Sequence, residues 1–559
     1  GIVHLKLPNV IVDKAAYVFA RCLKLVSVCY EPTTTTDKIW IGPYMFAMCD
    51  KLTSCKFAEN TVGIKSHAFE MCIALLSIRL PAGLTTIETA AFMTCVKLRS
   101  VQYDTRKLIS APDVEEPYTF GRMAFGRCVH LRHLQLERHN IQLGESCFED
   151  CARLQSARFR GNGTLEIANY AFNKCVRLKA VYFGDAELQL GTYVFARNRK
   201  LRVVRFPPIV HSIGEGSFTD CSGLPGITLP TNKTFTKLET SLFQGCTALR
   251  FMHVPGNIHT IKALALCEVQ HVILDCYEYT KYIVHWRAFP AVQKLAYLSN
   301  YRVEGGVTPK LRTLQLSAGI SSFWLSNGNT VSMPHLTRID MSHTKICDLN
   351  ETCFTSCANL EEIYLPRTLK IIPYATFRGL HKLHTVENLT HVQHIGTSAF
   401  ERCGALRSVQ FGILLDHIAV NAFSMCKALT DVDFSLTTKD VKLSNGAFNR
   451  CTALVNITLP TKTTFLDRYL FMGCTALKSV YMPTCIERVS VTAFYNCVNL
   501  DEWYTDATTI TPLMYYFRTR PVPRKLYAIS SAYTPKKHTC KCPKTLYTGS
   551  GTFQLQPAR

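Results

Sequence analysis

Cysteine is the residue type with the most chemical potential in this chain. There are 25, and 16 of them recur once per repeat, three residues after an aromatic side chain in nearly every case. Metal binding or a disulfide ladder could use such a series. Zinc sites, however, bring thiolates together in pairs two to four residues apart, whereas here they come singly at repeat intervals. A buried free thiol behaves as a small apolar side chain, and that is the role expected for Cys72, Cys95 and Cys426. Cys147 and Cys353 stand just before the aromatic and are expected in the core too. Cys540-Lys541-Cys542, after His538, could clip the terminal segment by a disulfide or a metal. His381, His384, His391 and His394 crowd into one repeat. His381 and His384 flank Leu383 and cannot point the same way along a strand, so solvated surface is expected there rather than a metal site. The spacings of HExxH, GxSxG, GxGxxG and P-loop motifs are absent. A non-enzymatic protein with no cofactor follows as the expectation. Five N-x-S/T sequons (Asn162, Asn232, Asn350, Asn388, Asn456) scarcely exceed the roughly three expected by chance and do not argue for secretion.

The elements that must position these residues come from one unit, clearest in Leu75–Leu98. Leu75, Ile78 and Leu80 alternate as in a strand, Pro81 ends the run, and Leu84, Ile87, Phe92 and Cys95 follow. Strand period 2 and helix period 3.6 give one strand, a turn, and one or two turns of helix per unit. A single unit cannot bury its apolar face, but a stack of units can. The strand signature recurs at Leu25, Leu52, Leu75, Leu98, Leu131, Leu154, Leu178, Leu201, Leu224 and Leu249, mostly at steps of 23 residues. A longer step after Leu98 marks an insert near Asp104 to Tyr118, expected to protrude as a loop. The aromatic-and-cysteine marker includes Phe69/Cys72, Phe92/Cys95 and Phe423/Cys426. Three residues apart on a helical turn, its two members share a face, so the rings are expected to form a buried spine. The marker fades from about 262 to 350, but the strand signature persists there. One continuous solenoid over 1–505 is therefore expected, with a cap and basic tail over 506–559; a two-domain division is the alternative.

Units such as SIRLPAGLTTIETAAFMTC and NITLPTKTTFLDRYLFMGC resemble the BspA-like class of leucine-rich repeats. The resemblance implies an α/β repeat fold: a curved, right-handed solenoid with a parallel sheet on its concave face and short helical turns on its convex face. It also implies adhesion or host-protein binding at a cell surface or in a secreted form. An intracellular scaffold subunit, in the cytoplasm, is the alternative, and a binder of an anionic polymer a further one.

Composition bounds the partner. Hydrophobic content of 47% and charged content of 19% describe a folded protein. No apolar run reaches the 18 residues that would span a membrane. The chain starts at Gly1 with Ile2, Leu5 and Leu7 already in the strand pattern. It reads as a mature or trimmed chain, so the missing targeting signal says nothing of location. The net charge of +22 favours acidic partners. Outward strand positions carry Lys56, Arg79, Arg158, Tyr182 and Arg205 in the N-terminal half. The C-terminal half has Asp340, Glu362, Glu387, Asp431, Asp433 and Glu502 there, with Tyr364, Tyr481 and Tyr504. Arg99, Arg132, Lys179 and Arg202 widen the basic arc. Lys56, Arg79, Arg158, Tyr182, Arg205 and Tyr364 are thus the candidate ligand-binding residues. A polarised face suits an extended protein ligand with an acidic surface. An anionic glycan is a second possibility. Nucleic acid is disfavoured, because the basic half lacks aromatic-basic interleaving.

Overall fold

The computed structural model describes residues 2–8, 16–31, 37–103, 117–275, 282–285, 288, 290–297, 301–304, 310–316, 333–505 and 525–528. Of the loop insert expected near Asp104 to Tyr118, residues 104–116 lie outside the described residues, whereas Tyr118 is not part of a protruding loop but the buried first residue of a strand, Tyr118–Phe120. The tail with Cys540 and Cys542 also lies outside the described residues. The chain divides into two compact units, 1–292 with 301–308, and 293–300 with 309–559.

In the first unit each repeat makes one coil, and coils stack through parallel strands. One sheet runs through His4–Leu7, Ser27–Tyr30, Ser54–Lys56, Ser77–Leu80, Ser100–Tyr103, His133–Glu137, Ser156–Arg160, Ala180–Tyr182 and Val203–Arg205. These are the strands anticipated from the leucine rhythm. The copy at Leu224 is an exception and forms no strand. Pro225, which has no N–H to give a ladder, and Gly226 follow that leucine directly. A second parallel sheet, absent from the sequence reading, runs through Ile39–Ile41, Thr61–Ile64, Thr86–Ile87, Tyr118–Phe120, Ile141–Leu143, Thr164–Ile167, Glu187–Leu190 and Val210–Ile213. Each coil therefore contributes two strands. Between them lie Leu75, Ile78, Leu80, Leu84, Ile87, Phe92 and Cys95, all essentially inaccessible to water. Each such large apolar side chain stabilises the stack by about 1.5–3 kcal/mol relative to exposure.

The expected helical turns are not there. No α-helix occurs among the described residues; the helical conformation found there is 3-10, at Ala288 and in the three-residue turn Leu389–His391. The aromatic and cysteine instead sit on a tight arc with a left-handed residue two positions before and two after the phenylalanine. In the coil of Phe69 these are His67 (φ 60°) and Met71 (φ 58°), and around Phe92 they are Ala90 (φ 54°) and Thr94 (φ 60°). A non-glycine residue in this region costs about 1–2 kcal/mol. The backbone supplies the compensation: the N–H groups of His67, Phe69 and Met71 donate to the carbonyls of Thr89, Ala91 and Met93 in the next coil, at 2.7–2.9 Å. The arc is thus a third inter-coil ladder.

The spine runs inside this arc. Phe69 and Phe92 stack with centroids 5.0 Å apart, as do Phe92 and Phe125, and the series continues to Phe243. The thiols form a parallel series of hydrogen bonds. Cys72 Sγ donates to the Phe46 carbonyl at 3.1 Å, Cys95 Sγ to Phe69 at 3.2 Å, and Cys128 Sγ to Phe92 at 3.2 Å. Where Asn198 replaces the cysteine, its Nδ2 donates to the Phe172 carbonyl at 3.0 Å. The repeat cysteine is a donor to the preceding coil as well as an apolar filler.

The second unit repeats the plan. Strands Lys294–Tyr297, Thr313–Leu316, Arg338–Asp340, Glu362–Tyr364 and Thr385–Glu387 follow one another in parallel. Further on, Asn456–Thr458, Ser479–Tyr481, Glu502–Thr505 and Lys525–Ala528 pair in order. Phe400 and Phe423 stack at 5.0 Å, and Cys426 Sγ donates to Phe400 at 3.2 Å. The strand signature that persisted through the faded central repeats corresponds to strands His271–Leu274, Lys294–Tyr297, Thr313–Leu316 and Arg338–Asp340.

Candidate functional site

Successive strands of the first sheet stay in register, so residues one repeat apart become lateral neighbours about 4.8 Å apart. Lys56 pairs with Arg79, and Arg79 with Gln102. Gln135 pairs with Arg158, Arg158 with Tyr182, and Tyr182 with Arg205. Ser100 opposite His133 joins the two groups, so one row holds Lys56, Arg79, Gln102, Gln135, Arg158, Tyr182 and Arg205. Lys56, Arg79, Arg158 and Arg205 are exposed, and Tyr182 is half-buried.

The ring of Tyr182 lies between two guanidinium groups, with the Arg158 Cζ 5.1 Å and the Arg205 Cζ 5.8 Å from its centroid. Each contact contributes on the order of 0.5–1 kcal/mol at an exposed site and holds a flexible arginine upright. Among the described residues no carboxylate forms an ion pair with Lys56, Arg79, Arg158 or Arg205. Glu137, at the edge of the row, is engaged by Arg160 at 3.3 Å. Alongside the row, Arg99, Arg132, Lys179 and Arg202 are exposed. The Arg132 N–H donates to the Arg99 carbonyl, and the Arg202 N–H to that of Lys179, so these four form two adjacent pairs. The row can neutralise a series of anionic groups and offers one aromatic anchor.

Tyr364, the remaining candidate, belongs to the second unit, between Asp340 and Glu387 in its own row. Its hydroxyl donates to Glu362 at 3.4 Å, and the Arg338 guanidinium sits 4.4 Å above its ring while bonding Glu362 at 2.9 Å. Sequence reasoning overlooked Arg338. It stands two residues after Leu336, an outward position, and extending the row count would have found it.

Three of the four clustered histidines have different neighbours. His384 Nδ1 lies 2.9 Å from the Thr385 hydroxyl, His391 Nδ1 lies 3.2 Å from that of Thr390, and His394 faces His417 with ring centroids 4.5 Å apart. Burial and the neighbouring His394 push the His417 pKa down. Among the described residues no group of three or more His, Cys, Asp or Glu is placed to hold a metal ion. The spine thiols Cys72, Cys95 and Cys426 are fully buried, and burial pushes their pKa well above the ordinary range. Such thiols are poor nucleophiles and poor metal ligands at neutral pH. Among the described residues no helix is long and apolar enough to cross a membrane.

A second aromatic feature went unseen in the sequence. Trp40 lies over Gly63 on the second sheet, where a Cβ at Gly63 would run into the indole, and Lys65 Nζ caps the ring at 4.2 Å.

The family comparison agrees with this architecture. The BspA type leucine rich repeat region matches residues 1–99, 104–186, 164–277, 347–445 and 418–519, more than half of the chain. No curated protein sequence matches. Similar solved structures include a leucine-rich repeat protein from Bacteroides ovatus, with 19% identity over 90% of this chain and 92% of that one and a TM-score of 0.26. A Treponema pallidum leucine-rich repeat protein gives 22% identity over 36% of this chain and 78% of its own, with a TM-score of 0.24. The pneumococcal vaccine antigen PcpA gives 14% identity over 94% and 89%, with a TM-score of 0.24. With its stacked parallel-sheet coils, its phenylalanine spine and this match, the chain belongs to the BspA-type leucine-rich-repeat family.

Proposed function

We propose that the chain is a non-enzymatic binding protein, of the adhesion type, that takes an acidic protein segment on the outward face of its first sheet. The observation that supports this reading is the row from Lys56 to Arg205, cationic, in register, and without ion-pair partners among the described residues. Long-range attraction over about 10 Å at 0.1 M salt speeds encounter. Affinity comes from fewer, desolvated anchors, and the Arg158–Tyr182–Arg205 cluster is the best placed to serve as one. Family membership accords with a cell-surface or secreted location.

The test is a triple reversal, R79E/R158E/R205E, with binding of an oligo-glutamate peptide followed by surface plasmon resonance. The association rate should fall at least tenfold, and added salt should slow the wild type in the same way. Unchanged binding with unchanged salt dependence would exclude this face. A heparin fragment run in parallel separates a preference for peptide from a preference for sulfated glycan.

A further inference from the structure

We infer that the acidic partner of the basic row is a second copy of this chain. The inference rests on the reading just given and names its partner. The second unit carries a counterpart of the basic cluster. Arg158, Tyr182 and Arg205 occupy equivalent positions on three consecutive strands of the first unit. Asp340, Tyr364 and Glu387 occupy equivalent positions on three consecutive strands of the second. Both triads read charge, tyrosine, charge, with the same steps of 24 and 23 residues. In each, the outer charges stand two strand spacings apart, roughly 10 Å.

The acidic triad, like the basic one, forms no ion pair among the described residues. Among the described residues no lysine or arginine forms an ion pair with Asp340 or Glu387; Arg338 is committed to Glu362. Asp340 Oδ1 accepts from the Ser342 N–H and hydroxyl, which fixes the carboxylate without neutralising it. Glu387 is exposed, and Asp340 and Tyr364 are half-buried on the same face. Set against each other, the triads oppose arginine to carboxylate at both ends and tyrosine to tyrosine at the centre. Guanidinium–carboxylate pairing of this kind is charge-assisted and geometrically specific. Because one chain carries both triads, each copy can give and receive the contact.

Analytical ultracentrifugation of the full chain tests this. The wild type should self-associate in a concentration-dependent way, and the apparent Kd should weaken at least tenfold between about 0.05 and 0.5 M NaCl as screening shortens. R158E/R205E makes both triads acidic, and D340K/E387K makes both basic, so each variant alone should remain monomeric. An equimolar mixture of the two should associate again, because every contact then joins opposite charges. Circular dichroism identical to wild type keeps misfolding out of the comparison, all four changed side chains being exposed or half-buried. A wild type that stays monomeric at low salt, or a mixture that fails to associate, overturns the inference. Oligo-glutamate binding distinguishes the two levels. A monomeric wild type that still binds the peptide sinks only the self-association, whereas loss of both sinks the basic-face reading as well.

Discussion

Replacing Phe92 by alanine tests the packing that holds the coils together. The side chain is fully buried, stacked on Phe69 and Phe125 at 5.0 Å each with ring planes within 10° of parallel. Truncation of a buried phenylalanine costs about 3–5 kcal/mol. Two aromatic pairs account for about 1–3 kcal/mol of that at 0.5–1.5 each. Phe92→Leu keeps most of the volume and loses the stacking, so it should cost close to that smaller figure. The backbone bonds of the coil do not depend on the ring. The Phe92 N–H still reaches Ala124 at 2.8 Å, and the carbonyl still accepts from Cys128. In a stacked array, stability is a sum of unit and nearest-neighbour terms, so the loss should fall on the coils of Phe69, Phe92 and Phe125. Amide hydrogen exchange is the assay. A loss of 3 kcal/mol corresponds to roughly a hundredfold faster exchange or more, confined to the arcs around residues 67–71, 90–94 and 123–127. The reasoning fails if exchange there is unchanged, or if it rises equally along the whole chain.

Three further outcomes are expected. Asn198→Cys should raise stability by about 1 kcal/mol, because it restores the thiol donor and removes the buried Asn198 Oδ1, which has no hydrogen-bond partner among the described residues; a lower Tm would count against the donor series. At pH 8, iodoacetamide should modify exposed Cys347 first among the cysteines of the described residues, while Cys72, Cys95 and Cys426 stay unmodified until denaturant is added, since burial raises their pKa and blocks access; mass spectrometry of the native protein reads this directly. Gly63→Val should expel the Trp40 indole and red-shift its emission, and an unshifted spectrum would show that the ring does not lie on that glycine.

The strand rhythm was legible because a buried leucine recurs at a nearly constant step just before the strand of each coil. The arcs were not legible. Phenylalanine and cysteine three residues apart fit a helical turn and a left-handed arc equally well. The left-handed positions are filled by residues such as Tyr44, His67, Met71 and Thr94, where glycine or asparagine would have signalled a turn. Their conformation is fixed by hydrogen bonds to the next coil, an interaction between repeats that no single repeat encodes. The second sheet escaped notice for a related reason. Its strands are short, two residues at Thr86–Ile87 and three at Ile141–Leu143, too short for alternation to show.

The same geometry explains why the candidate site has no local motif. A stacked fold converts a step of 23 or 24 residues into a lateral spacing of about 4.8 Å, so Arg158, Tyr182 and Arg205 meet although no sequence window contains them together. Register, once inferred from the leucines, is enough to assemble the row. Side-chain pairing within it is not, because an outward residue can turn to either neighbour. Arg338 leans over Tyr364 and takes Glu362, whereas Asp340 and Glu387 on either side of that tyrosine form no ion pair among the described residues. Whether a row binds therefore depends on which charges its own neighbours leave unspent. Parallel strands hold those charges at fixed spacing, so a partner with matching spacing loses little further conformational entropy in meeting them. A partner carrying the same number of charges at a different pitch would gain the long-range attraction but not the simultaneous contacts. Spacing, more than net charge, is then the property on which discrimination rests.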